Sequence, residues 1–119
     1  MFLGCSSLTE LDLSNFDTSK VTSMMCVFRF CKSLKRLNLS NWNTSNVTIM
    51  TYMFDECQSL IELDLSGFDM FEVNDIDYMF AGCSSLEKLN LAGWRNAYFL
   101  HKFHTFDGCN KSIIPDWYR

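Results

Sequence analysis

At 119 residues and a net charge of −4, the chain has the length of one small domain and no broad basic field for nucleic acid or an anionic membrane. Its hydrophobic content of 48% and aromatic content of 15% supply a core and exclude a disordered polar chain. No run approaches the roughly 18 apolar residues of a membrane span, and the first residues show neither the basic n-region nor the apolar h-region of a secretory leader.

In chain order, a period emerges before any single element. Cys5, Cys31, Cys57, Cys83 and Cys109 are each 26 residues apart, and Phe2, Phe28, Phe54, Phe80 and Phe106 keep the same interval three residues earlier. Leu8, Leu34, Leu60 and Leu86 form a third column. Leu11, Leu37, Leu63 and Leu89 form a fourth, and Leu13, Leu39, Leu65 and Leu91 a fifth. An aromatic column of Phe16, Trp42, Phe68 and Trp94 follows. A period between about 20 and 50 residues is the mark of stacked units that bury their apolar edges against neighbours. The reading is a single array over residues 1–119, of about four and a half repeats.

Met1-Phe2 occupies the columns of Met53-Phe54 and Met79-Phe80, so the chain starts inside a repeat. Its first unit offers Leu8, Leu11, Leu13 and Phe16 with nothing before them to cover that side. The expectation is a piece of a longer protein whose uncovered rim invites end-to-end self-association.

Within the unit that opens at Leu8, apolar Leu11 and Leu13 alternate with polar Glu10, Asp12 and Ser14, the pattern of a half-buried strand. The matching strands centre on Arg36 to Leu39, Glu62 to Leu65 and Lys88 to Leu91, and one in-register parallel sheet is predicted. Further along, Val21, Met24, Val27, Phe28 and Cys31 recur mostly at steps of three and four, which predicts one face of a short or partly 3₁₀ helix. Asp17, Thr18, Ser19 and Thr22 are its candidate N-caps. Strand, aromatic turn and helical return in 26 residues, with an L-x-x-L-x-L core at Leu8, Leu11 and Leu13, form the leucine-rich repeat plan. The predicted fold is an α/β solenoid with a parallel sheet on one face and short helices on the other.

The strings GCSSLTELDLSNFDTSKVTSM and GCSSLEKLNLAGW, with YMF shortly before the second, closely resemble the BspA-like leucine-rich repeats of bacterial surface proteins and lipoproteins. The likeness covers essentially the whole chain and fades after Trp94, where Arg95-Asn96-Ala97-Tyr98-Phe99 replaces the Asn43-Thr44-Ser45-Asn46-Val47 type of segment. Phe106, Gly108 and Cys109 return on register, so residues 95–119 read as a degenerate or capping repeat. The resemblance implies a cell-surface or secreted location and a protein-interaction or adhesion role. A structural spacer that displays another domain is the alternative.

Charge gives an independent register. Every charge from Thr18 to Phe54 is positive and every charge from Asp55 to Tyr78 is negative, so stacking brings Arg29 beside Asp55. It also lines up Glu10, Arg36, Glu62 and Lys88 as a ladder of alternating sign. Such exposed steps are worth ~0.2 to 1 kcal/mol each and serve register and solubility first.

The cysteines occupy one equivalent position per repeat rather than the C-x₂-C pairs of a metal site, and are expected to pack as small hydrophobes. Cys26 lies off that ladder, in the column of Tyr52 and Tyr78, and reads as a free thiol. His101 and His104 stand at i, i+3 with Asp107 and Cys109 close in sequence, but no H-E-x-x-H accompanies them, and they read as surface or capping residues. No G-x-S-x-G elbow and no Gly-rich phosphate loop occurs, so a non-enzymatic chain with no cofactor and no metal is expected. Asn-x-Ser/Thr triplets at Asn43, Asn46 and Asn110 read as turn and capping chemistry.

The strand face remains as the candidate binding surface. It is lined by Glu10, Asp12 and Ser14, by Arg36, Asn38 and Ser40, by Glu62, Asp64 and Ser66, and by Lys88, Asn90 and Ala92. The partner it suits is a protein, of a host or of a cell surface. Nucleic acid is disfavoured by the charge.

Overall fold

Each Leu-x-Leu alternation does become extended backbone, in very short pieces. The computed structural model describes residues 2–94 and 97–118. Met1 of the Met-Phe column and Arg95-Asn96, where the degenerate unit begins, lie outside the described residues. Strand β1 spans Glu10–Asp12, β2 Arg36–Asn38, β3 Glu62–Asp64 and β4 Lys88–Asn90. In all of them the two polar residues are exposed, while the central leucine is half-buried in β1, β2 and β4 and buried in β3.

The strands pair in parallel and in register. β1 sets Glu10 against Arg36, Leu11 against Leu37 and Asp12 against Asn38 of β2. β3 sets Glu62 against Lys88, Leu63 against Leu89 and Asp64 against Asn90 of β4. One continuous sheet was predicted, and two separate two-stranded sheets are found. At the seam, the Ile61 amide donates to the Lys35 carbonyl at 3.1 Å. Leu13 closes the first pair by donating to Asn38 at 3.0 Å and Leu65 closes the second by donating to Asn90 at 3.0 Å, but Leu39 makes no such bond across the seam.

The returns depart further from expectation. Where a helix was predicted, Val27 donates to the Met24 carbonyl at 3.4 Å, Arg29 to Cys26 at 3.2 Å and Cys31 to Phe28 at 3.1 Å, all i→i−3 turns. The amides between them turn outward instead. Cys26 donates to Thr51 at 3.0 Å, Phe28 to Met53 at 2.9 Å and Phe30 to Asp55 at 2.9 Å, in the following unit. An α-helix would engage every interior amide in its own i→i−4 bond, so this division of donors is incompatible with one.

Backbone handedness enforces the difference. Cys26, Tyr52, Tyr78 and His104 form one column of left-handed residues with φ of 62, 60, 57 and 57°. Gly4, Phe30, Glu56, Gly82 and Gly108 form a second, with φ of 73, 64, 61, 77 and 76°. Two left-handed residues in each return break any right-handed run into single turns. Glycine suits the second column, and a Cβ at Gly82 would also run into the Glu56 carboxyl group.

The α/β leucine-rich repeat solenoid is therefore corrected. Among the described residues there is no α-helix, only 3₁₀ turns at Ala92–Trp94, Lys111–Ile113 and Asp116–Tyr118. The molecule is a compact globule of 34 × 33 × 19 Å with two short parallel sheets and returns built from turns.

The interior nonetheless follows the 26-residue register. Phe2, Phe28, Phe54, Phe80 and Phe106 stack with ring centroids 5.6, 5.5, 5.6 and 5.3 Å apart. The Trp42 indole donates to the Leu13 carbonyl at 2.9 Å and the Trp94 indole to Leu65 at 3.3 Å, which satisfies both buried N–H groups. Buried Thr18 clasps the next unit reciprocally, its hydroxyl donating to the Asn43 carbonyl at 3.1 Å and accepting from the Asn43 amide at 2.8 Å. Thr44 repeats the clasp on Asp69. Single parallel bridges join Ser23 to Ile49, Ile49 to Asp75 and Asp75 to His101 on the far side of the core.

Candidate functional site

The strand face forms the floor of an open groove of about 1440 Å³. Glu10, Asp12, Arg36, Asn38, Glu62, Asp64, Lys88 and Asn90 all line it, with the half-buried leucines of the strands between them. The structure thus brings together the acidic, basic and amide members of the candidate face. The serines stand apart. Ser40 and Ser66 border a smaller neighbouring recess with Phe68, and Ser14 lines neither cavity.

The local chemistry explains the serines. The Ser14 amide and hydroxyl both donate to Asp12 Oδ1, at 3.0 and 2.7 Å, and Ser66 does the same to Asp64 at 2.9 and 2.7 Å. Asn38 accepts the same amide bond from Ser40 at 3.0 Å and Asn90 from Ala92 at 3.1 Å. These are Asx turns that end each strand. The bonds from Ser14 hold the Asp12 carboxyl below the usual carboxylate range, and those from Ser66 do so for Asp64. Both groups stay ionised into mildly acidic solution.

Cations only partly offset these charges. Arg36 reaches Glu10 and Glu62 at 3.9 Å each, a loose and exposed contact to both sides. Asp12 and Asp64 have no ion-pair partner among the described residues, and their turn bonds engage Oδ1 alone. A tight pair lies elsewhere: Arg29 Nε meets Asp55 Oδ2 at 2.7 Å, and the same guanidinium lies 4.1 Å over the Tyr52 ring. Burial raises the Asp55 carboxyl even though Arg29 pulls it down. This pair anchors the returns and does not face the groove.

Sequence reasoning missed the groove's wall. Ser112, Ile113, Ile114, Pro115, Asp116 and Trp117 close the end of the floor beside β4, where Glu87 also lines it. The Asn110 side chain accepts from the Ser112 amide at 3.0 Å and starts one 3₁₀ turn, and Pro115 precedes the next. The Tyr118 hydroxyl accepts from the Thr105 amide at 3.2 Å, and Trp117 packs on Phe99 at 5.7 Å and on Trp94 and Phe106 at 6.4 Å each. No periodic column contains these residues. The signal available was Trp117 and Tyr118 after Ile113, Ile114 and Pro115, an apolar cluster too strong for a solvated tail.

The other candidates are placed away from this groove. Cys31, Cys57, Cys83 and Cys109 each donate their thiol to the carbonyl of Phe2, Phe28, Phe54 and Phe80, at 3.1, 3.1, 3.2 and 3.0 Å. Cys31, Cys57 and Cys83 are buried free thiols. Burial pushes Cys57 up to about 12 and Cys109 to about 11, far from the thiolate needed for nucleophilic or metal chemistry. His104 Nδ1 lies 2.7 Å from Asp107 Oδ2 and its ring stacks on Tyr78 at 5.0 Å. His101 pairs through its backbone with Asp75. Among the described residues no group of three or more His, Cys, Asp or Glu side chains is placed to hold a metal, and no helix is long and apolar enough to cross a membrane.

A family model described as a Mycoplasma protein of unknown function, DUF285, matches residues 1–117. No curated protein and no solved structure matches the chain.

Proposed function

For this chain, which belongs to that Mycoplasma family, we propose a non-enzymatic protein-interaction module, an adhesion unit carried at the cell surface or secreted. The open groove over the strand face carries the reading. Its floor presents exposed charged and amide side chains, Asp12 and Asp64 already held in place by their Asx turns, and Ile113, Ile114 and Trp117 add apolar surface at its wall that a protein partner can cover. The finer likeness of the GCSSL strings to BspA-like surface repeats supports the location and the adhesive role. The partner is a protein of a host or of a cell surface. Among the described residues only Trp117 offers a large aromatic contact in the groove, so one copy binds modestly and multivalent display strengthens the attachment.

The test is adhesion of beads displaying many copies to a surface coated with host extracellular-matrix proteins. Replacing Arg36, Asn38, Asp64 and Asn90 together by Ala is expected to cut attachment at least about fivefold, the loss of about 1 kcal/mol that rim contacts supply. Thermal melting checks that the variant is folded. Attachment by the folded variant equal to that of the natural chain would reduce the molecule to a spacer.

A further inference from the structure

The charges of the groove are arranged in two columns with a period of two units. Along one, Glu10, Arg36, Glu62 and Lys88 alternate in sign, and along the other carboxylates Asp12 and Asp64 alternate with the amides Asn38 and Asn90. Equivalent carboxylates are thus two rungs apart. Parallel neighbours lie ~4.8 Å apart, so this repeat is ~10 Å. Arg36 lies 3.9 Å from Glu10 on one side and from Glu62 on the other.

The balance of charge in the groove is strongly negative. The carboxylates of Glu10, Asp12, Glu62, Asp64, Glu87 and Asp116 face it against the cations of Arg36 and Lys88. Asp12 and Asp64 are exposed on adjacent sheets of the floor, and neither has an ion-pair partner among the described residues. A cleft lined by one sign of charge concentrates the opposite sign.

We infer that the groove takes a cationic polypeptide segment in the polyproline II conformation, laid across the strands, with positive side chains three residues apart. A polyproline II chain advances ~3.1 Å per residue and returns every third side chain to the same face, so a spacing of three residues, ~9.3 Å, matches the ~10 Å between Asp12 and Asp64. Cations on adjacent residues cannot do so, because successive side chains of this three-fold helix point in different directions. Ile113, Ile114 and Trp117 close one end of the floor with apolar surface. This inference rests on the docking role proposed above and specifies its partner's chemistry.

Fluorescence anisotropy with two labelled peptides tests it, one with two lysines three residues apart and Ser elsewhere, the other an isomer of identical composition with the two lysines adjacent. The spaced peptide is expected to bind the chain about tenfold more tightly than the isomer and to weaken as salt rises. Asp12→Asn with Asp64→Asn should remove about tenfold of that affinity. This variant keeps the fold, because Asn38 and Asn90 already make the same turn in the other strands. Equal affinity for the two isomers, absence of binding to either, or binding unaffected by the double substitution overturns the inference. If the peptide fails while the four-residue variant still loses adhesion, the docking role survives and only the cationic partner is rejected. If adhesion is unchanged in that variant, the docking role itself falls.

Discussion

The two ends of the stack carry the same kinds of side chain and bury them very differently. At the end formed by the first unit, Leu8 is 37% and Phe16 44% exposed, whereas their equivalents Leu34, Leu60 and Leu86 are at most 1% exposed, and Trp42, Phe68 and Trp94 at most 6%. At the opposite end, Trp117 and Tyr118 lie across Phe106, Phe99 and Trp94 and leave Phe106 3% exposed. Burial in this molecule is therefore conferred by the neighbouring unit rather than by residue type. A column position is a core position only where something stacks on it.

The most severe way to break this comparison is to truncate one column at both places. Leu60→Ala should cost on the order of 2 to 5 kcal/mol, because a fully buried leucine leaves a cavity. Leu8→Ala, in the same column at the exposed end, should cost under about 1 kcal/mol. Urea melts of the two variants read the difference, and equal losses would show that the first unit is as well packed as the third.

Alkaline titration sharpens the contrast for the thiols of the interior. Burial raises Cys57 to about 12 and Cys109 to about 11 from the ordinary value of 9.0. In the unfolded chain these groups lose their protons near pH 9, while the folded chain retains them. Their contribution is thus complete below pH 9 and is lost as pH rises through the folded values. Stability should fall by about 1.4 kcal/mol per pH unit for each such thiol within that window. Cys57→Ala should flatten the slope by one thiol's share, whatever its cost at neutral pH. An unchanged slope in that variant would place the sensitivity in other groups.

The smallest effect belongs to the exposed end. Association through Leu3, Leu8 and Phe16 would cover these side chains at about 1 kcal/mol apiece. Light scattering should show mass rising with concentration, and Leu8→Ser with Phe16→Ser should hold it at the monomer value. A monomer at all concentrations in the natural chain would show that these side chains stay open to solvent.

Register was the legible part of the sequence. The charge blocks anticipated Arg29 against Asp55, found at 2.7 Å, and the leucine columns anticipated parallel neighbours with Glu10 facing Arg36 and Glu62 facing Lys88. The returns were misread because apolar steps of three and four at Val21, Met24, Val27, Phe28 and Cys31 suit successive i→i−3 turns as well as a helix. The discriminating sign was the column of Gly4, Gly82 and Gly108, which recurs where a helix would disfavour glycine and a left-handed turn would select it. In the candidate site, the charged floor followed from periodicity. The wall from Ser112 to Trp117 did not, because it obeys no period and is positioned by the Asn110 cap and the Tyr118 hydroxyl.

The outward-turned amides also set how the chain can find its fold. Bonds such as Phe28 to Met53, Phe54 to Met79 and Phe80 to Thr105 each close a loop of nearly one repeat, and the thiol bonds span 29 residues. With no α-helix among the described residues to form first, these closures are the elementary steps, and each has the same loop-closure entropy as the last. Ordering therefore advances by recruiting one adjacent segment at a time onto a template of free carbonyls. A further 26-residue segment would lengthen the polypeptide without lengthening the loop that must close.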